Sequence, residues 1–292
     1  MGMRIRTNVS SLTSQRFLTR NSRDMNSSLE RLASGYRINK SADDAAGLAV
    51  SEGIRAKVRG LNVAKRNAND AISMIQIAEG SMNEISNVMI RLRELSVQAA
   101  SDTIGDIERG FLNREYTQLV SEVDRISRTT EFNSLKLFDN PNQSEYVIQV
   151  GTNGSLPDEN IDTITINLEG LKFTSEDLEL GSGSVIGPAI RGDTGPSRQE
   201  IAGKLGQIDE AISRIASERA TLGSVQSRLN SALNNLSISV ENLQTAKSAI
   251  KDVDFAQETS TLSQNRVLMA SSTSVLTQAN SQPEMALQLL RN

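Results

Sequence analysis

The stretch with the densest set of chemically capable side chains is SGYRINKSADDAAGLAVSE, residues 34–52. It holds Arg37, Lys40, Asp43 and Asp44 within eight residues. Paired carboxylates could act as a general acid and base or hold a magnesium ion. Adjacent residues point about 100° apart on a helix, so Asp43 and Asp44 do not converge on one ligand. The spacing therefore argues against a catalytic or metal site.

The composition removes most other chemistry. The 292 residues include no Cys and no His, which excludes thiolate nucleophiles, imidazole catalysis and most zinc sites. No HExxH motif, phosphate-binding glycine loop or activated-serine pattern occurs. With 31 basic and 35 acidic residues, the chain lacks the basic cluster that nucleic acid requires. We predict no enzyme activity, no metal, no cofactor and no nucleic-acid partner.

The sequence predicts neither a membrane span nor an ordinary secretory signal. No apolar run reaches the roughly 18 residues that a spanning helix needs. The first residues, MGMRIRTNVSSLTSQRFL, carry positive charge but no apolar core of a signal peptide. If the protein leaves the cell, another route must carry it.

The elements that position these side chains are long helices, because apolar residues recur at heptad spacing. The first set is Ile54, Val58, Leu61, Ala68, Ile72, Ile75, Met82, Ile85, Met89 and Leu92. The second set is Ile208, Ile212, Ile215, Leu222, Val225, Leu229, Leu233, Leu236, Val240, Leu243 and Ile250. A shorter set between them is Leu112, Tyr116, Leu119, Val123 and Ile126. Three helices with one apolar stripe each predict an antiparallel bundle.

The two ends of the chain repeat the pattern more weakly. The N-terminal set is Ile5, Val9, Leu12, Leu18, Met25, Leu29 and Leu32, and the C-terminal set is Phe255, Leu262, Met269 and Leu276. The residues between them are largely Ser, Thr, Asn and Gln. Such stripes bury too little to offset about 1 to 2 kcal/mol of backbone entropy per residue. We therefore expect both ends to be disordered in a free monomer and to fold against neighbours.

The middle of the chain predicts a small β-element. YVIQV at residues 146–150 and TITINL at residues 163–168 alternate β-branched residues on either side of a turn-rich loop. The Gly/Ser/Pro-rich connection GSGSVIGPAIRGDTGPS, residues 181–197, then returns the chain to the second long helix.

Five long segments of the chain occur in the order found in one known family. They are LERLASGYRINKSADDAAGLAVSE, NDAISMIQIAEGSMNEISNVMIRLRELSVQAAS, SEVDRISRTTEFNSLKLFD, LGSVQSRLNSALNNLSISVENLQTAKSAIKDVDFAQETSTLS and SVLTQAN. Together they cover most of residues 1–140 and 205–292. In these segments the chain resembles bacterial flagellin.

The resemblance implies a mainly α subunit, in which long coiled-coil helices form an antiparallel bundle with a small β-hairpin and the terminal helices pair as a second domain. The implied divisions are an inner core domain (1–33 and 258–292), spoke linkers (34–46 and 249–257), a helical bundle (47–180 and 199–248, hairpin near 145–170) and a reduced variable loop (181–198).

The resemblance also implies a function. Such a subunit polymerises with itself into the extracellular helical filament of a swimming bacterium, after export in an unfolded state by the flagellar type III pathway without a cleavable signal peptide. The implied partners are further copies of the chain, an export chaperone, and the filament cap and hook-filament junction proteins, with no insertion into a membrane.

Two sets of residues carry over from the family. The first is a surface for subunit contacts and for innate immune receptors of the Toll-like receptor 5 type: Arg91, Leu95, Gln98 and Glu115. Ile90 and Leu119 depart from the family pattern beside it, which predicts weaker receptor binding. The second is the C-terminal core stripe that an export chaperone would cover: Leu262, Met269, Leu276, Leu287 and Leu290.

In the spoke segment, local chemistry predicts a structural use for the opening residues. Gly35 follows the N-terminal helix and suits the left-handed position that ends it. We expect Ser41 to cap the next helix, with Asp44 three residues later and Asp43 in its positive first turn.

The two basic residues of the first spoke linker have candidate partners in the second spoke linker, residues 249–257. Arg37 and Lys40 could pair with Asp252, with Asp254 or with neighbouring subunits, and each exposed pair would contribute only about 0 to 1 kcal/mol. The spoke residues Arg37, Lys40, Asp43 and Asp44 are thus interpreted as a joint between domains.

Two related interpretations share these features. A hook-filament junction protein has similar terminal segments, and a secreted coiled-coil scaffold or adhesin has similar helices. Junction proteins keep weaker versions of RINKSADDAAGLA and TEFNSLKLFD, so the strength of both segments favours flagellin.

Overall fold

The computed structural model describes residues 7–138, 145–152, 161–180, 185–188 and 196–291. Side chains are described within these ranges except at Glu169, Arg198 and residues 282–291. The helices are α1 (Val9–Ser34), α2 (Ala45–Ala99), α3 (Asp106–Thr129), α4 (Arg198–Lys251) and α5 (Phe255–Arg291). The strands are β1 (Glu131–Phe132), β2 (Leu135–Lys136), β3 (Glu145–Gln149) and β4 (Thr163–Asn167). The predicted mainly α fold is confirmed.

Packing divides the chain into two units, which are described separately. Unit 1 comprises Met1–Val58 and Glu241–Asn292. Unit 2 comprises Arg59–Val240.

In unit 2, α2, α3 and α4 form a bundle around the predicted stripes. Met82, Ile85 and Met89 of α2 have no exposed surface, and Leu229 of α4 is equally buried. Contacts between α2 and α4 run in opposite order along the two helices: Lys65 with Ser237, Glu79 with Arg219, and Arg93 with Asp209. The antiparallel bundle predicted from the heptad spacing is therefore confirmed, because each apolar stripe finds its burial against the others.

The predicted β-hairpin is also confirmed. Strand β3 pairs antiparallel with β4, and Tyr146 stands opposite Ile166. Both side chains are buried, while Val147, the next residue of β3, faces outward, as the two-residue period of a strand requires.

A second, smaller hairpin was not predicted. Strands β1 and β2 pair antiparallel across Asn133 and Ser134, which both have positive φ, at 49° and 66°. Two-residue hairpin turns of the I′ type need this conformation at both central residues. The segment TEFNSLKLFD carries no Asn-Gly or Asp-Gly pair, the usual signal of such a turn.

Side chains of α3 and α4 hold the segment that follows β4 against the bundle. The guanidinium group of Arg214 donates to the main-chain oxygens of Gly170, Lys172 and Asp177. The carboxylate of Asp124 accepts from the main-chain nitrogen of Ser175 at 2.6 Å. Of the predicted variable loop, residues 181–184 and 189–195 lie outside the described ranges.

The side chain of Asn113, on α3, reaches the part of the variable loop that is described. Its Oδ1 accepts from the main-chain nitrogens of Val185 and Ile186, each at 3.1 Å. Asn113 is itself buried, so these bonds form away from solvent.

In unit 1, α1 and α5 pack as an antiparallel pair, as predicted. The amide of Asn21 donates to the Ser272 hydroxyl at 3.0 Å. The amide of Asn8 donates to the main-chain oxygen of Ala279 at 2.7 Å, nearer the start of α1 and the end of α5. The contacts therefore follow opposite directions along the two helices.

The described residues show neither a membrane-spanning helix nor a metal-binding cluster of side chains. No helix among them combines the length and apolarity needed to cross a bilayer. They contain no group of three or more Asp or Glu side chains placed to hold a metal ion.

Candidate functional site

The paired terminal helices bury polar side chains and expose apolar ones. Ser11, Ser14 and Ser28 of α1 are buried, and Ser28 is only 3% exposed. Phe17 of the same helix is 54% exposed. Other exposed apolar side chains of the pair are Val9, Leu12, Leu29, Phe255, Val267, Leu268 and Val275. This inverts the usual distribution and leaves the pair with an uncovered apolar surface.

Part of this surface lines a groove between α1 and α5 of about 450 Å³. Phe17, Leu268 and Val275 supply its apolar walls, and Arg20 and Asp24 lie at its polar edge. Arg20 and Asp24 form an exposed ion pair, with Nε and Oδ2 3.9 Å apart. The apolar walls of the groove can therefore accept apolar side chains of another helix.

The predicted apolar stripe of α5 is only partly covered. Leu262 is buried, and Met269 and Leu276 are half-buried. Leu287 and Leu290 lie outside the residues whose side chains are described. Three of the five predicted positions thus face α1, and one apolar residue of the same heptad set, Phe255, does not.

The two carboxylates of the opening stretch support the backbone. Asp43 Oδ2 accepts from the main-chain nitrogens of Lys40 at 2.9 Å and Asn39 at 3.0 Å. These bonds, that from Lys40 first, lower the pKa of the Asp43 carboxyl below its ordinary 3.8. Asp44 Oδ1 accepts from the nitrogen of Gly47 at 2.8 Å.

This geometry corrects the predicted helix start. Helix α2 begins at Ala45, so its cap is Asp44 and not Ser41. Asp43 closes the turn before the helix instead of lying in its first turn. Ser41 and Asp44 both have side chains suited to capping a helix, and the length of the turn before α2 places Asp44 at the cap position.

At the other end of the spoke segment, the prediction for Gly35 is confirmed. Gly35 has φ of 74° and donates its main-chain N–H to the oxygen of Arg31 at 2.9 Å, which ends α1. Arg31 itself approaches the buried Glu258 of α5, with Nη1 and Oε2 3.8 Å apart.

Within the chain, the basic spoke residues do not pair with the predicted Asp252 or Asp254. Arg37 Nη2 donates to the main-chain oxygen of Ile250 at 2.7 Å. Lys40 Nζ donates to Glu30 Oε2 at 2.7 Å, a hydrogen bond that raises the Lys40 pKa above its ordinary value. Pairing with a neighbouring subunit stays a prediction.

The predicted receptor and subunit patch on α2 and α3 is exposed at three of its four positions. Arg91 donates to Glu115 Oε1 through Nε at 3.0 Å and Nη2 at 2.8 Å, and to Glu94 through Nη1 at 2.9 Å. The bond to Glu115 is the largest cause of a raised Arg91 pKa. Gln98 is exposed on the same helix, whereas Leu95 is 1% exposed and lies in the bundle core. A role of Leu95 in subunit or receptor contacts stays a prediction.

Sequence reasoning missed the buried serines and the main-chain role of Arg37. The serines interrupt the apolar stripe of α1 without any motif. For Arg37, the sequence indicated only that the segment KDVDFAQE, residues 251–258, returns beside it. The acidic residues of that segment suggested an ion pair, whereas the observed partner is the main-chain oxygen of Ile250.

Comparison with known proteins gives a consistent result over most of the chain. The family model for the bacterial flagellin N-terminal helical region matches residues 5–143, and that for the bacterial flagellin C-terminal helical region matches residues 205–290. The flagellin of Bacillus subtilis is 38% identical over 99% of this chain and 100% of its own length.

Two further relatives extend the comparison. The flagellar filament 33 kDa core protein of Treponema phagedenis is 37% identical, again over 99% of this chain and 100% of its own. The crystal structure of Bacillus cereus flagellin aligns at 30% identity with a TM-score of 0.47, covering 59% of this chain and 88% of that one.

Proposed function

The chain belongs to the bacterial flagellin family, as a structural subunit of the flagellar filament and not an enzyme, and we propose that its terminal helices complete their core only against neighbouring copies. A hook-filament junction protein is not favoured, because the full-length relatives are filament proteins.

The observation that carries the proposal is the inverted burial of the α1–α5 pair. Three serines of α1 are buried in the pair, while Phe17, Leu268 and Val275 line an open groove. Burying such side chains contributes about 1.5 to 3 kcal/mol each relative to full exposure. A lone subunit forgoes much of that free energy, and a neighbouring subunit in the lattice supplies the missing surface. Ordering of the ends is then coupled to assembly.

Seeded elongation of purified monomers tests this proposal. Val275→Ser removes about 1 kcal/mol of burial per subunit, because the side chain is already half-buried, and should raise the critical monomer concentration about fivefold. The matched control is Val147→Ser, which changes an equally exposed valine on strand β3. Equal effects of the two substitutions, or none from Val275→Ser, would contradict a special role of the terminal pair.

The proposal extends to export. An unfolded chain without Cys cannot form cross-links in a narrow export channel. The C-terminal stripe, Leu262, Met269, Leu276, Leu287 and Leu290, would be covered by an export chaperone before secretion. Leu276→Ser should weaken chaperone binding in calorimetry, whereas Leu29→Ser in α1 should leave it unchanged. If Leu276→Ser and Leu29→Ser bound the chaperone with equal affinity, the C-terminal stripe would be excluded as the chaperone contact.

The finer domain division is part of the same proposal. The inner core (1–33 and 258–292), the spoke linkers (34–46 and 249–257), the bundle (47–180 and 199–248) and the variable loop (181–198) are supported by where the helices end. Helix α1 stops at Ser34, α2 starts at Ala45, α4 stops at Lys251 and α5 starts at Phe255. The filament cap and junction proteins would be neighbours of such subunits at the filament ends.

Receptor recognition of the detached monomer is a second proposed function. The exposed patch of Arg91, Gln98 and Glu115 supports it, and the buried position of Leu95 weakens it. In cells that carry a Toll-like receptor 5 type reporter, Arg91→Ala monomer should give a smaller response than wild type. A response as large as that of wild type would exclude the patch as the receptor contact.

A further inference from the structure

The break between α4 and α5 is not explained by a helix-breaking residue. Helix α4 ends at Lys251 and α5 begins at Phe255, within the sequence IKDVDFAQ of residues 250–257. This stretch contains neither Gly nor Pro, the residues that usually interrupt a helix. The end of α4 also leaves main-chain oxygens that need donors from another part of the chain.

Residues 35–37 maintain it by taking over helix hydrogen bonds. In a continuous helix, the oxygens of Ile250 and Lys251 would accept from the nitrogens four residues later. Here Arg37 donates to both, through Nη2 to Ile250 at 2.7 Å and through its main-chain nitrogen to Lys251 at 2.7 Å. The nitrogen of Val253 donates to the oxygen of Gly35 at 3.0 Å, outside the helix.

Further contacts complete the exchange. Asp254 Oδ1 accepts from the nitrogens of Ala256 at 2.9 Å and Gln257 at 3.2 Å, which starts α5 as a capped helix. The Lys251 ammonium lies 5.1 Å from the centre of the Tyr36 ring, and Tyr36 and Asp252 form an antiparallel bridge. The three residues that follow α1, 35–37, are thus bonded to the end of α4 and to the connection that precedes α5.

We propose that Arg37 is a positioning residue for filament assembly, which holds the α4–α5 break open and so sets the direction in which α5 leaves α4 to pair with α1. Without the guanidinium bond, the Ile250 oxygen is free to accept from the Asp254 nitrogen, which favours a helix that joins α4 to α5. The inference rests on the proposed role of the α1–α5 pair in assembly.

A proline at position 255 separates this role from a general loss of stability. Phe255 is exposed and is the first residue of α5, where proline is well tolerated. In a joined helix, proline at the same position would have no N–H for the Lys251 oxygen and its ring would clash with that carbonyl. Phe255→Pro should therefore keep the break open even without Arg37, and Phe255→Ala is the matched control for loss of the ring.

Seeded elongation is measured for wild type, Arg37→Ala, Arg37→Ala/Phe255→Pro and Arg37→Ala/Phe255→Ala. Loss of a hydrogen bond from a charged donor should raise the critical concentration of Arg37→Ala about tenfold. The critical concentration of the proline double variant should be about tenfold below that of the alanine double variant, because both lack the Phe255 ring and only proline keeps the break open. Failure of rescue, or equal rescue by alanine, would overturn the proposal.

A second measurement does not depend on filaments. In the purified full chain, amide hydrogen exchange at Asp254 should slow in Arg37→Ala, because the Ile250 oxygen loses its side-chain donor and can accept from the Asp254 nitrogen instead. Unchanged exchange there overturns the inference about Arg37. Failure of wild type to elongate would instead count against the proposed function, and the exchange result would still decide the inference.

Discussion

Tyr116 provides a direct test of how firmly the bundle core of unit 2 is closed. Its ring, on α3, has no exposed surface, and its hydroxyl donates to the main-chain oxygen of Leu180 at 3.3 Å. Burial disfavours the phenolate and raises the pKa of Tyr116 to about 12, from 10.0 in an exposed tyrosine. Ionisation is thus easier in the unfolded chain than in the folded one.

The sign of the pH dependence follows from this order. The contribution of Tyr116 to the free energy of unfolding is fully present below pH 10, where both states are protonated. It is lost as the pH rises from 10 towards 12, because only the unfolded chain then ionises. A two-unit difference corresponds to a loss of about 2 to 3 kcal/mol over that range.

Tyr116→Phe keeps the ring but removes both the hydrogen bond and the ionisation. At pH 8 the variant should be less stable by about 1 kcal/mol, the net value of one hydrogen bond. Wild type should lose that advantage on alkaline titration, so the two proteins should become equally stable near pH 11, at about one unit above the unfolded pKa.

Urea unfolding of both proteins from pH 8 to 11.5, followed by circular dichroism, measures the difference. Every other titrating group is shared, so subtraction of the two curves isolates Tyr116. A stability difference that stays constant across this range would refute the claim that the Tyr116 hydroxyl is shielded from solvent.

Three further predictions concern backbone geometry and are measured by thermal or urea unfolding of the purified chain. Gly35→Ala should destabilise by about 1 kcal/mol because φ is 74° there, while Gly53→Ala in the interior of α2 should stabilise by a similar amount; the same sign for both would contradict this reasoning. Gly187→Ala should cost about 1 to 3 kcal/mol, because its Cβ would overlap the main-chain carbonyl of Arg109, and no change would show that the loop is free to move away. Ser134→Gly should stabilise by about 0.5 kcal/mol, since φ of 66° suits glycine, and a destabilised variant would show that the hydroxyl matters more than the backbone.

Much of the fold could be predicted because its causes are local. Met82, Ile85 and Met89 recur at heptad spacing in α2, and the apolar stripe of α4 does the same. This spacing makes each segment an amphipathic helix regardless of its neighbours, and such helices bury their stripes against each other. The hairpin of β3 and β4 followed from alternation, and the end of α1 at Gly35 from the conformational freedom of glycine.

The functional details could not be predicted in the same way, because burial and hydrogen bonding depend on which surfaces meet. Leu95 belongs to the predicted patch, and only packing shows that its side chain lies in the core; Ser28 likewise carries no sign in the sequence that it is covered. Asp44 caps α2 in place of Ser41 because of the path of a four-residue turn.

What the sequence by itself determined is the set of long amphipathic helices, the absence of Cys and His, and the family to which the chain belongs, since each depends on residue types and their order alone. The tertiary structure decided that the α1–α5 pair leaves Phe17 and Val275 uncovered and that Arg37 binds the main chain at Ile250. These outcomes join residues more than 200 positions apart, and only the folded chain brings their atoms within bonding distance.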